Sequence, residues 1–104
     1  MSILFFGGSF NPIHNAHLLC AAFVGEKCGF EQIMLVPSAA PPHKPLDPNL
    51  ASPSDRLAMC RLAAGTMPGF RVSDIEMRRT GPSYTLDTVR ELRASGIDPV
   101  NWLI

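Results

Sequence analysis

Ile3-Leu4-Phe5-Phe6-Gly7-Gly8-Ser9-Phe10-Asn11-Pro12-Ile13-His14-Asn15-Ala16-His17 decides how the rest of the chain is read. Four consecutive apolar residues stopped by two glycines read as a short buried strand, because a strand with one wet face would alternate. A helix is expected next, from about Asn15 to Cys28. Leu18, Leu19, Ala22 and Phe23 recur there at spacings of three and four, and Gly29 supplies a C-terminal stop. The next apolar run, Ile33-Met34-Leu35-Val36, ends at Pro37 and is the second expected strand.

Residues 37–52 form a long loop carrying Pro37, Pro41, Pro42, Pro45 and Pro48, and loops of this length in compact domains are usually functional or mobile. Ser52-Pro53-Ser54-Asp55 opens a second helix, with Ser52 as N-cap, Pro53 in the first turn and Asp55 at the third position. Ala58, Met59, Leu62 and Ala63 are its expected apolar face, and Gly65 lies near its end. Phe70–Ile75 reads as a third strand and Thr80-Gly81-Pro82-Ser83 as a turn. A third helix runs from about Tyr84 to Ala94, with Leu86, Val89 and Leu92 on one side and Ser83 or Thr85 as cap. Val100–Ile104 reads as a fourth strand. The order β-α-β-α-β-α-β implies an α/β fold, a Rossmann-like, doubly wound parallel sheet with right-handed crossovers. Ligands of such sheets bind beyond the carboxyl ends of the strands, where strand order reverses.

The 104 residues suffice for one small domain, 1–104, and not for two. With 46% apolar and 17% charged residues the chain should fold. Nine basic residues balance nine acidic ones, which argues against a non-specific nucleic-acid binder. Cys20, Cys28 and Cys60 show no metal spacing and read as reduced thiols, small core hydrophobes of a cytoplasmic protein. No signal-like segment and no run long enough to cross a bilayer is expected.

Chemistry should follow the strands. Gly7, Gly8 and Ser9 would let the backbone approach a bulky anion and adopt positive φ. His14 and His17, three apart, share one face at the start of the first helix, beside free amides and the positive end of the helix dipole. Two imidazoles and several amide donors converging on one small volume suit a polyphosphate. The turn is neither a dinucleotide fingerprint nor a P-loop. Lys44 is a mobile point charge on the loop after the second strand, suited to phosphate. His43 reads equally as a contact or a solvated imidazole. Tyr84 and Thr85 lie at a helix start whose amides could receive a carboxylate. Arg56, Arg78 and Arg79 are candidate substrate contacts but read in preference as solvated surface residues, and Asp87 as a partner of its helix dipole.

The segment from Gly7 to His17 resembles the first motif of the nucleotidyltransferase superfamily with an HxGH signature, Ala16 standing where that motif carries glycine. Pro41-Pro42-His43-Lys44 and Gly81-Pro82-Ser83-Tyr84-Thr85-Leu86-Asp87-Thr88 resemble the PPHK and GPSYT-x-DT segments of bacterial nicotinate-nucleotide adenylyltransferases. Pantetheine-phosphate adenylyltransferases share the first motif and are not expected to carry the other two.

The resemblance implies transfer of AMP from ATP to nicotinate mononucleotide, giving deamido-NAD and pyrophosphate, with Mg2+ held mainly by the ATP phosphates and no protein metal site. It implies His14 and His17 as catalytic residues. Gly7, Gly8, Ser9, Phe10, His14, His17 and Lys44 would hold ATP. Ser9, His43, Lys44, Tyr84 and Thr85 would hold nicotinate mononucleotide. The expected partners are these substrates, with no nucleic acid or membrane, and homo-oligomerisation is left open. The same resemblance implies a longer chain, so that this sequence stops within strand four, before a Gly-x-Asp and a Ser-Ser-Thr-x-x-Arg segment. A non-catalytic nucleotide-binding fragment is the alternative reading.

Overall fold

Both faces of the first strand are used. In the computed structural model, which describes residues 2–39, 50–79 and 83–103, β1 spans Ile3–Gly8. Leu4 and Phe6 point into one hydrophobic cluster, while Ile3 and Phe5 point into another. The second strand, β2 (Gln32–Pro37), divides the same way: Ile33 and Leu35 join the first cluster, Met34 and Val36 the second. Continuous apolar runs are what a parallel strand covered on both sides requires.

Helix α1 (Asn15–Cys28) has the bounds expected from its periodicity, and Gly29 ends it with φ 76 in the left-handed region. Helix α2 (Pro53–Ala64) starts as its sequence implies: the Ser52 side chain accepts a hydrogen bond from the Asp55 amide at 3.1 Å. Strand β3 is shorter than expected, Phe70–Val72. The Ser73 amide makes the last bond to β2, at the Leu35 carbonyl. The chain then turns, with the Ser73 hydroxyl accepting from the Ile75 amide and the Asp74 carbonyl from the Met77 and Arg78 amides. Ser and Asp favour such local turns over a continued ladder. Helix α3 is Thr85–Ala94 and strand β4 is Asn101–Leu103.

The four strands are parallel in the order β3-β2-β1-β4. Leu18 and Ala21 of α1 and Cys60 and Ala64 of α2 cover one face, and Leu92 of α3 covers the other. The sheet is therefore doubly wound. Strand order reverses at β1, which places the reversal at the carboxyl ends of β1 and β4.

The buried faces of the helices differ from the expectation. On α1 the buried residues are Leu18, Ala21 and Gly25, while Leu19 and Phe23 are exposed. On α2 they are Arg56, Cys60 and Ala64, a stripe at a stride of four; Ala58 and Leu62 lie outside. On α3 Leu92 is buried with Thr88, and Leu86 is exposed. Small residues bring these helices close to the sheet: a Cβ on Gly25 would come within 2.7 Å of Ile33. Of the three cysteines, Cys60 alone is buried, and Cys20 and Cys28 are exposed free thiols. Among the described residues, no helix is long and apolar enough to cross a membrane.

Candidate functional site

β1 delivers the chain to the carboxyl edge of the sheet, where Ser9 and Phe10 lead towards α1. Gly7 and Gly8 do not supply the positive φ expected of them; Phe10 does, at φ 48. A bulky residue in the left-handed region is strained and needs to be held by its surroundings. The glycines are required by rings instead. A Cβ on Gly7 would lie 2.5 Å from Trp102 of β4, and one on Gly8 would lie 3.2 Å from the Phe10 ring. Phe10 thereby folds back into the core, edge-on to Phe6 and to His17 with centroid distances of 5.4 and 5.3 Å.

His14 is the N-cap of α1, with extended backbone, and His17 is one turn on. Their rings lie 4.0 Å apart between centroids, at 31°. The His14 amide donates to His17 Nδ1 at 3.1 Å. That bond makes Nδ1 an acceptor, so neutral His17 carries its proton on Nε2, which remains a donor. Burial, and then the neighbouring His14, hold His17 below its ordinary pKa. The first turn of α1 contains no acidic residue. Among the described residues, the Asn15 and Ala16 amides have no hydrogen-bond partner. Two imidazoles and two open amides thus occupy the positive end of a 14-residue helix, an arrangement suited to an anion.

Arg56 is the departure with the largest consequence. Expected at the surface, it is fully buried. Its guanidinium donates from Nε to the Ala51 carbonyl at 2.9 Å, from Nη1 to the Ser9 carbonyl at 2.9 Å and to the Ser38 carbonyl, and from Nη2 to the Ala39 carbonyl at 3.0 Å. A buried charge is tolerable when its donors are satisfied in this way. Burial draws its pKa below the ordinary value, with Cys60 acting in the opposite sense. Asn11 adds a further tie, its Oδ1 accepting from the Ala51 amide at 2.9 Å.

The segment after β3 is joined to the same group of loops. Ser83 does not cap α3; its hydroxyl accepts from the Ala39 amide at 3.1 Å. Tyr84 is the N-cap of α3 without a side-chain cap bond, and Thr85 begins the helix; both are exposed. Behind them Thr88, fully buried, donates to Glu76 at 2.7 Å and accepts from Arg79 at 2.6 Å. Arg79 also faces Glu91 at 3.6 Å, so it too is no freely solvated residue, whereas Arg78 is exposed and pairs with Asp74. Burial raises the Glu76 pKa, opposed by Thr88 and Arg79.

The structure therefore groups Gly7, Gly8, Ser9, Phe10, His14 and His17 directly, and links Tyr84 and Thr85 to them through Ser83, Ala39 and Arg56. His43 and Lys44, with the rest of Pro41–Lys44, lie outside the described residues, as do Thr80, Gly81 and Pro82. Among the described residues no group of three or more His, Cys, Asp or Glu could hold a metal ion. A groove of about 430 Å³ between α2 and β3, lined in part by Arg61, Phe70 and Arg71, contains none of the expected site residues.

A glycine-ended first strand followed by a histidine pair at a helix start, at the reversal point of a parallel sheet, marks a Rossmann-like α/β protein with the architecture of a nucleotidyltransferase domain. The chain belongs to the cytidylyltransferase-like family, which matches residues 5–104. It is 49% identical over 87 residues to a Geobacter metallireducens protein named "probable nicotinate-nucleotide adenylyltransferase", covering 84% of this chain and 40% of that one. It is 51% identical over 88 residues to a Citrifermentans bemidjiense protein of the same name, covering 85% and 40%. With a Salinibacter ruber protein, also so named, it shares 45% over 93 residues, covering 89% and 47%. The chain thus spans less than half the length of these curated relatives.

Proposed function

We propose that this chain carries the first part of a nicotinate-nucleotide adenylyltransferase site, which joins AMP from ATP to nicotinate mononucleotide. The observation that carries the reading is the His14–His17 pair, 4.0 Å between ring centroids, beside the open amides of the α1 N-terminus. The names of the relatives supply the substrates. In this reading a 5′-phosphate oxygen of nicotinate mononucleotide attacks the α-phosphorus of ATP. The new P–O bond forms as the bond to the β-phosphate bridging oxygen breaks, and pyrophosphate leaves with that electron pair.

No protein nucleophile is needed, so the work is positioning and charge stabilisation. His17, neutral and donating from Nε2, faces the charge that develops on the α-phosphoryl oxygens. His14 and the Asn15 and Ala16 amides hold the neighbouring phosphates. Ser9, Tyr84 and Thr85 are assigned to nicotinate mononucleotide, with His43 and Lys44 completing the phosphate contacts. Mg2+ would enter with ATP as the MgATP substrate and would neutralise part of the phosphate charge. Exposed thiols at Cys20 and Cys28 suit the reducing cytoplasm.

Pyrophosphate release from MgATP and nicotinate mononucleotide tests the proposal. His17→Ala should lower turnover by roughly 10²–10³-fold, the range for one lost donor at a developing charge. Turnover near that of the parent chain would remove His17 from the chemistry. A second reading is nucleotide binding without turnover; ATP binding with no pyrophosphate would select it. Replacing nicotinate mononucleotide by nicotinamide mononucleotide or phosphopantetheine fixes the acceptor.

A further inference from the structure

Arg56 sits on α2, a helix that carries none of the residues assigned to substrate. Its four acceptors nevertheless belong to three segments that border the site: Ser9 after β1, Ser38 and Ala39 after β2, and Ala51 before α2. The Ser9–Phe10 peptide is trans, since the cis bonds of the described chain are Asn11–Pro12 and Asp98–Pro99. In a trans peptide the carbonyl and the following N–H point in opposite directions. Turning the Ser9 carbonyl inward onto Arg56 therefore turns the Phe10 amide outward. That amide has no hydrogen-bond partner among the described residues. The same bond fixes the peptide that precedes the strained φ of Phe10, whose ring lies against His17. Ser38 and Ala39 are held from the opposite side as well, through the Ala39 amide and Ser83.

We infer that Arg56 is a positioning residue: it holds the Ser9–Phe10 peptide so that the Phe10 amide and the Phe10–His17 pair face the phosphate site, in one frame with the segment after β2. A planar guanidinium can reach four carbonyls at once, which an ammonium cannot. The bearing on phosphate rests on the nucleotide reading above; the positioning itself does not.

The test compares the full chain with Arg56→Lys, which keeps the charge and loses the fork. Ala64→Gly, which weakens α2 at its far end, serves as a control for simple destabilisation. In folded Arg56→Lys the Phe10 amide resonance should shift, and the His17 titration, followed by NMR of the imidazole, should move up towards 6.5. The control should change neither. MgATP should bind Arg56→Lys roughly tenfold more weakly than the parent, about the effect of one lost charge-assisted hydrogen bond. Unchanged Phe10 and His17 signals in Arg56→Lys overturn the inference whatever the nucleotide does. If the parent binds no MgATP, the nucleotide reading fails, and the two signals still judge the positioning. If Arg56→Lys does not fold, the parent chain decides. Its Arg56 Nε proton should exchange with solvent only through global unfolding, and exchange at the rate of a surface arginine overturns the assignment.

Discussion

Replacing Gly7 by alanine separates two reasons for a glycine at the end of β1. If the site needs a bare backbone only for an approaching phosphate, Gly7→Ala should spare the fold. Gly7 has no positive φ, so alanine is conformationally allowed there, and by narrowing the unfolded ensemble it should stabilise by about 0.4–1 kcal/mol. The structure argues otherwise. The new methyl group would stand 2.5 Å from Cζ2 of Trp102 and 3.2 Å from Cε2, where carbon contacts are comfortable only from about 3.5 Å. The indole must retreat by about 1 Å. It is stacked on Phe5 at 6.2 Å and 11°, on a strand joined to β1 through three residue pairs. Overpacking of this kind costs about 1–3 kcal/mol, and loss of the stack lies within that range. With a urea dependence of about 1–2 kcal/mol per molar, the unfolding midpoint should fall by about 1 M or more. Trp102 is the only tryptophan of the sequence, so its emission should also shift to the red in the folded variant. In a Trp102→Val background the cost of Gly7→Ala should shrink to within about 0.5 kcal/mol of zero, which a double-mutant cycle measures. A midpoint equal to or above that of the parent, with unchanged emission, would refute the argument.

Other consequences are equally open to measurement. Thr88→Val leaves the buried Glu76 carboxylate without its 2.7 Å hydroxyl bond and should cost about 1–3 kcal/mol in urea unfolding; a cost near zero would mean that the cluster is not closed as described. A colorimetric thiol reagent should label Cys20 and Cys28 quickly and Cys60 only on unfolding, and three equally fast thiols would contradict the burial of α2. Burial pushes the Cys60 thiol up from 9.0 to about 11, so the stability gained by keeping it neutral is complete below pH 9 and is lost as pH rises towards 11; Cys60→Ala should flatten that alkaline decline. His17 is held below 6.5, so the unfolded chain takes up this proton first. Its contribution is complete above pH 6.5 and is lost as pH falls through the folded value. The urea midpoint of the parent should accordingly drop more steeply than that of His17→Gln on acidification, and parallel curves would refute the assignment.

The topology was legible because the strands are apolar on both faces and the helices have clear ends. Ser52-Pro53-Ser54-Asp55 and Gly29 mark helix ends through local hydrogen bonds, which need no tertiary information. The histidine pair was legible for the same reason, since its spacing and its place at a helix start are local. Which helix face is buried was not. On α1 and α2 the sheet is approached through Ala21, Gly25, Cys60 and Ala64, and small residues carry little hydrophobic signal beside Leu19, Phe23 and Leu62, which stay outside. Arg56 was misread with them. A stride of four linking it to Cys60 and Ala64 was the available sign, but the three acceptors at Ser9, Ser38 and Ala39, in two distant segments, are a tertiary fact. The positive φ expected of Gly7 and Gly8 was misplaced, and their crowding by Trp102 and Phe10 could not be read locally, because those rings are fixed only by the β4–β1 pairing and the Phe10 turn.

That β4–β1 pairing also gives the chain an internal clock. Phe5 and Trp102 meet across nearly the whole length of the sequence, whereas each βαβ step before it closes a much shorter loop. Contacts of long sequence separation carry the largest closure entropy and tend to limit folding rates. The only indole of the sequence therefore reports the joining of β4 to β1, while far-ultraviolet circular dichroism reports the helices. In stopped-flow refolding, a dichroism signal that leads the fluorescence signal would mean that β1, β2 and β3 assemble first and β4 is added to a sheet already formed.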